Sequence, residues 1–249
     1  MEASPYENTL WKNRLTPILG SGYDYPVRLR AVEIVGTYIA LCVWGFGMYK
    51  TFLMMWELPL LVWLVVLPSM VVGIISADFV TGCIHWAADN LGSDITPVIG
   101  PALIYPFRLH HVDPQEITRH DFFEVNGFSF ATCIPVLLFF EIPLLLEPAV
   151  WIVAFEWHFL TGCLFSCLTN QFHKYSHMKS PPRWARFLQR YGIILSPQMH
   201  HVHHVTLDSY YSICTGWTNW PLEYFQFFQR ITKRFAISTP PPVKPLKRR

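Results

Sequence analysis

Charge is what this chain has least of. Asp, Glu, Lys and Arg make up 14% of its 249 residues, while 52% are hydrophobic and 16% aromatic. An ordinary soluble domain is roughly a quarter charged. So little charge cannot keep a surface of this size in water, which excludes a free soluble globule and indicates a membrane protein. The six cysteines, Cys42, Cys83, Cys133, Cys163, Cys167 and Cys214, form no Cys-x-x-Cys pair and sit mostly in apolar runs. That spacing offers neither a disulfide framework nor a thiolate zinc module, so reduced thiols are expected. A net charge of only +2, without a basic-helix or zinc-finger pattern, gives no basis for a nucleic-acid partner. The stretch from Met1 to Arg30 has no basic-then-apolar leader, so the first membrane helix is expected to do the targeting. No internal repeat is found.

What the chain does have is long apolar runs. Residues 31–49 carry one charge, Glu33, and reach about 28 Å as a helix. Residues 58–77 carry none; their Pro59 and Pro68 are tolerated in membrane helices. Residues 128–146 and 149–169, parted by Glu147-Pro148, form a tight hairpin despite Glu141, Glu156 and His158. The expected fold is all-α: a polytopic membrane protein with four transmembrane helices, a segment 1–30, one domain over 31–237 and a basic, proline-rich tail over 238–249. Four Lys and Arg residues precede the first span, Arg108 and Arg119 lie in the central loop, twelve follow the fourth span, and Lys50 alone lies opposite. By the positive-inside rule both termini and the central loop are cytoplasmic. The membrane would be the endoplasmic reticulum of a eukaryote or the inner membrane of a bacterium.

Further on, Trp184, Phe187, Leu188 and Tyr191 recur at helical spacing opposite Arg183, Arg186, Gln189 and Arg190, the pattern of an interfacial amphipathic helix. The stretch from Trp217 to Phe235 is either a second such element or core against the spans. The tail is expected to rest against anionic lipid.

The chemistry lies in the histidines. His200, His201, His203 and His204 fall within five positions, and neutral imidazole is the commonest metal ligand. On a helix, positions 200, 203 and 204 share a sector and His201 faces away. Asp78, His85 and Asp89 fall within about 40° of one another on a helical continuation of the second span. His110 and His111 are adjacent. His173 and His177 form an i, i+4 pair just after Asn170. With four spans all these clusters reach one membrane face. The set His85, His110, His111, His173, His177, His200, His203 and His204 is too large for one tetrahedral zinc and suits two irons. A zinc hydrolase using His85, His200 and His204 would leave the other clusters unexplained. A haem electron carrier would need single facing axial ligands inside the spans, and a metal transporter is the remaining non-enzymatic reading. Asp78 and Asp89 are expected to orient histidines rather than bind metal. His120 is expected to be an orienting or structural residue, Glu156 a packing residue and His158 no ligand.

These residues also carry a resemblance. Asp78-Phe79 with Gly82, His85-Trp86 and Asp89; Pro106-Phe107-Arg108 with His110-His111 and Asp113-Pro114; and Ile117 to Phe122 resemble the plasmanylethanolamine desaturases. So do Asn170 to Lys174 with Ser176-His177, His200-x-x-His203-His204, and Thr215-Gly216-Trp217 with Asn219 and Pro221-Leu222-Glu223. The resemblance implies a membrane enzyme with two Fe ions and O2 as co-substrate. Its reaction would be the introduction of the vinyl-ether double bond into 1-O-alkyl-2-acyl-glycerophosphoethanolamine, forming plasmalogen. It implies the eight histidines as iron ligands and, in a eukaryote, cytochrome b5 and its reductase as electron donor. Another di-iron lipid desaturase or hydroxylase, for example one acting on phosphatidylglycerol acyl chains as in the plastid branch, is the alternative on the same metal frame. Arg108 or Arg119 is a candidate phosphate contact, with a plain solvated role as the alternative.

Overall fold

The structure is a computed structural model that describes residues 27–97, 99–235 and 237. The N-terminal segment before Val27 and the tail over 238–249 lie outside the described residues. The expectation that the tail rests on lipid therefore has no structural counterpart here.

Four helices are long and apolar enough to cross a membrane. They are α1 (Val27–Trp56), α2 (Trp63–Asn90), α4 (Phe122–Phe140) and α5 (Val150–His177), with α3 (Tyr105–Val112) between α2 and α4. Leu64, Leu67 and Val72 on α2 are each more than half exposed, an arrangement that only lipid can solvate. The helices α1, α2 and α5 run past the C-terminal ends of the expected apolar runs, whereas α2 starts only at Trp63, five residues after the expected start, and α4 stops at Phe140, six residues short of the expected end at 146. Residues 50–56, beyond the expected end of the first span, continue α1, because Phe52, Leu53, Met54, Met55 and Trp56 are as apolar as what precedes them. Met54 and Met55 then pack with Val62, Ile152 and Val153. The α4 helix begins six residues before the expected span. Asp121 accepts hydrogen bonds from the amides of Phe123 and Glu124, and the Glu124 carboxylate accepts from the Asp121 amide, a reciprocal cap that starts the helix early. The Asp-x-x-Glu pattern was visible in the sequence. Arg30 grips the Asp121 carboxylate through both terminal nitrogens, pinning the start of α1 to the start of α4.

At 28 residues each, α2 and α5 are about 42 Å long, some 12 Å more than the roughly 30 Å hydrocarbon core needs. The surplus at their C-terminal ends carries His85, Asp89, His173 and His177. The histidines thus project from the spanning helices themselves, on the end where α4 begins. Within the bundle, α2 packs on α5 and α4 packs on α1 and α5. Gly73 and Gly162 allow the α2–α5 contact: a Cβ on Gly73 would run into the His158 carbonyl.

The rest of the chain folds over the histidine end as α6 (Arg183–Arg190), α7 (Pro197–Thr206), α8 (Asn219–Tyr224) and α9 (Phe227–Arg234). On α6, Trp184, Phe187 and Tyr191 are exposed by 53%, 57% and 64%, the greasy stripe of an interfacial helix. Gln189 departs from the expected polar face: it is buried and donates to the Leu195 carbonyl, and Leu188 turns inward towards Phe172. The stretch from Trp217 to Phe235 divides. Leu222 and Phe228 pack with Tyr211 as core, whereas Trp220, Tyr224, Phe225 and Phe235 stand exposed.

Because the obstacle at Gly73 is backbone, Gly73→Val should lower the thermal midpoint in detergent by several degrees, an overpacking cost of about 1–3 kcal/mol. Gly45→Val, where a Cβ meets nothing within 4 Å, should leave it nearly unchanged. Equal midpoints for the two variants would contradict the close α2–α5 approach.

Candidate metal centre

Four elements deliver the histidines: the end of α2 (His85), the end of α3 (His110, His111), the end of α5 (His173, His177) and α7 (His200, His203, His204). Ser196 caps α7, its hydroxyl accepting from the Met199 amide, and Pro197 starts the helix where no amide is needed. That start sets the phase of the cluster. His200 and His203 are buried, His204 half-buried and His201 exposed.

The rings fall into two groups able to hold a metal ion. One comprises His110, His173, His177, His200 and His204; the other comprises His85, His110, His111 and His203. Together they are the eight residues singled out from the sequence. In the first group the Nε2 atoms converge: His173 to His200 is 2.8 Å, His200 to His177 is 2.8 Å, His204 to His200 is 3.0 Å and His173 to His177 is 3.2 Å. His110 belongs to both groups, is 2% exposed, and neither of its ring nitrogens has a hydrogen-bond partner. A buried polar atom left this way is costly unless an ion takes the lone pair, so the residues present fit a metal.

The second group is held from behind by a loop. The Nδ1 of His85 donates to the Tyr211 carbonyl at 2.9 Å and the Nδ1 of His203 to the Ser209 carbonyl at 2.7 Å, which fixes the tautomer and turns Nε2 towards the centre. Sequence reasoning missed both supports, because a backbone carbonyl carries no residue signature. The loop is itself anchored by Asp78. Its Oδ1 accepts from the Thr215 and Gly216 amides at 2.8 and 2.9 Å, and its Oδ2 from the Thr218 amide and hydroxyl, each at 2.8 Å. Asp78 therefore acts on His85 at one remove, through the loop, where direct contact with a histidine was expected. Asp89 differs from expectation in the other direction. Its Oδ2 lies 3.2 Å from His85 Nε2, 3.1 Å from His111 Nε2 and 3.6 Å from His203 Nε2, on the converging side of the rings and not behind them.

Burial shapes the electrostatics. His110 and His200 are held well below the ordinary imidazole range by desolvation and then by neighbouring imidazoles, His173 foremost. His203 falls to about 4, burial and His85 outweighing Asp89, and His204 to about 2 through burial and His177. All four are uncharged at neutral pH and present lone pairs.

The other residues singled out sit apart from the two groups. The Asn170 amide donates to the Val125 carbonyl at 3.2 Å and to the Ser129 hydroxyl, joining α5 to α4. His120 lies between Glu116 (2.5 Å) and Glu124 (3.1 Å), while its carbonyl accepts from Lys174. Burial opposes its charge, but the two carboxylates overcome this and raise it to about 9. Arg108 is neither solvated nor open to phosphate: it is buried and donates to the carbonyls of Ala88, Leu91 and Gly92, closing the end of α2. Arg119 pairs with Asp113 at 2.7 Å. Glu156 is buried in α5, about 26 Å along the helix from His173.

A cavity of about 140 Å³ reaches His110 and His173 from the side of Glu33, Glu116, His120 and Glu124. A second, of about 620 Å³, runs down between α2, α4 and α5.

A raised His120 stabilises the fold fully below its unfolded value near 6.5 and ceases to do so as pH rises through about 9. Wild-type protein should lose on the order of 2 kcal/mol more stability between pH 7 and 10 than His120→Gln, read as the difference in thermal midpoint. Parallel curves for the two proteins would refute the charged bridge.

Residues 74–240 match the lipid desaturase domain. The chain is 38% identical to a plasmanylethanolamine desaturase of Myxococcus xanthus, over 89% of its own length and 76% of that protein. It is 41% identical to plasmanylethanolamine desaturase 1 of Mus musculus over 67% of the chain and 63% of the mouse protein. It is 33% identical to the chloroplastic fatty acid desaturase 4 of Arabidopsis thaliana over 59% of the chain and 45% of that protein. No solved structure matches. All eight histidines, Asp78, Asp89 and the loop that orients His85 and His203 lie within the matched domain, and the chain belongs to the lipid desaturase family.

Proposed function

We propose that this protein is a plasmanylethanolamine desaturase that holds two iron ions between its eight histidines and forms the vinyl-ether double bond of plasmalogens. The observation that carries the reading is the division of eight clustered imidazoles, five buried and three half-buried, into two groups meeting at His110. The names of the bacterial and mouse relatives supply the substrate class.

Removing hydrogen from an unactivated alkyl carbon lies outside side-chain acid–base chemistry, and iron with O2 supplies the oxidising power when bound. Two hydrogens leave the alkyl chain, and with O2, two electrons and two protons they yield two waters. The electrons come from a redox partner, cytochrome b5 with its reductase in a eukaryotic cell. The chain's own residues position and exclude. His173, His177, His200 and His204 aim Nε2 at one point, and His85, His111 and His203 at a second. The backbone carbonyls of Tyr211 and Ser209 keep Nδ1–H behind two of these rings. Asp89 is read as a carboxylate ligand of the second group. A carboxylate that merely oriented a histidine would meet its rear nitrogen, whereas Asp89 meets Nε2. Phe107 covers the inner side, its ring centroid 5.0 Å from that of His85, and keeps water from the reacting end. The Lys and Arg distribution puts this end, with both chain termini, on the cytoplasmic side.

Purified protein should contain two irons per chain and show no haem absorption band. In deficient cells re-expressing the chain, His203→Ala should cut acid-labile vinyl-ether lipid more than about tenfold and release iron, while the exposed His201→Ala retains most activity. Stoichiometric zinc in active protein, or an active His203→Ala beside an inactive His201→Ala at equal expression, would overturn the assignment.

A further inference from the structure

The larger cavity has a shape that the metal centre does not explain. It occupies about 620 Å³, within the roughly 300–1,000 Å³ of small-ligand sites. Its floor is a face of α5 kept low by Gly162 and Ser166. Its walls are Val80 and Ile84 of α2 on one side and Thr132 and Val136 of α4 on the other. Both walls pack on α5, and the gap between them gives onto the surrounding lipid. Val80, Ile84 and Val136 are 48%, 43% and 40% exposed.

The upper end is the informative one. Leu103, Phe107, Phe128, Ser129 and Asn170 line this cavity and also the smaller one that touches His110 and His173. The two adjoin across these residues, ionisable beside the histidines and, below, lined mainly by apolar side chains with Ser, Thr and Cys among them. The lower end is His158 and Phe159, twelve residues from Asn170 along α5 or roughly 18 Å, which is more than the half-thickness of a ~30 Å hydrocarbon core. Such a path fits neither a water-soluble substrate nor a plain hydrocarbon. It fits one long chain whose polar linkage stays at the histidine end.

We infer that the groove between α2 and α4 seats the O-alkyl chain of the ether lipid, which enters sideways from the bilayer and is measured against His158 and Phe159 at its foot. The inference rests on the ether-lipid reading above and names the chain. The carbons to be oxidised adjoin the ether oxygen, so the chain that begins there must start beside His173 and continue downward. The acyl chain and head group remain outside the groove. Ser166 lies one helical turn, about 6 Å, below Asn170, so Ser166 sets how freely the chain passes and the foot sets its length.

The test uses full-length, iron-loaded protein in nanodiscs supplied with a reductant and with O-octyl or O-hexadecyl ether lipid. Ser166→Phe should lower the hexadecyl-to-octyl yield ratio more than about tenfold at wild-type iron content. Val136→Trp, on the α4 wall, should shift the ratio in the same direction and provides a second variant should the first fold poorly. Independently of turnover, an O-hexadecyl lipid bearing a diazirine on its terminal carbon should label the wild-type protein saturably around His158 and Phe159. An unchanged ratio in both variants, or labelling that is unsaturable or lies outside α2, α4 and α5, would overturn the groove assignment. Saturable labelling at the foot in a protein that converts neither lipid would keep the groove and remove the desaturase reading.

Discussion

Imidazoles that point their lone pairs at one another repel, and this fold crowds eight of them, five buried and three half-buried, into one pocket. The arrangement is tenable only if something cationic accepts the lone pairs, and much of the architecture serves to hold the rings until it does. Spanning helices that outrun the bilayer provide rigid posts for His85, His173 and His177. Capped α7 brings three more rings across from the opposite side. Desolvation keeps His110, His200, His203 and His204 from escaping the conflict by protonation.

That the burden is shared unequally is a matter of support. In the second group the rear nitrogens of His85 and His203 are tied to backbone carbonyls, and the loop bearing those carbonyls is tied to Asp78. In the first group the Nδ1 of His200 is buried without a partner, so its orientation comes from packing and from the helix itself. Two rings of the second group, His85 and His203, are thus set by hydrogen bonds, and His200 of the first by helical register.

The positions of the histidines were legible because ligand chemistry needs a particular residue and helical periodicity places it: i, i+4 for His173 and His177, i, i+3 and i+4 for His200, His203 and His204. The four spans were legible from apolar length, though not their ends. The stop at Trp56 rather than residue 49 depends on packing between Met55 and Ile152, which no local pattern announces. The start at Phe122 was announced by Asp121 and Glu124 and passed over. What could not be read was whatever depends on backbone or on direction. The carbonyls of Tyr211 and Ser209 are anonymous in a sequence. The side of the rings that Asp89 approaches, and the burial of Arg108 against the end of α2, follow from tertiary geometry alone. The gap between α2 and α4 is likewise a property of which helices pack, and hydropathy treats all four spans alike.

The Asp78 anchor also has a bearing on how the protein comes into being. Its carboxylate sits in the second spanning helix, yet the amides that neutralise it belong to residues 137 to 140 positions later in the chain. During synthesis, α2 must wait at the membrane with an acidic group at its edge that has no permanent partner until the loop after α7 has emerged and folded back. The second half of the centre therefore closes last, and a chain halted between His204 and Thr218 would keep all of its histidines while lacking the complete brace that aims two of them. The buried aspartate makes completion of the polypeptide a condition for a finished site.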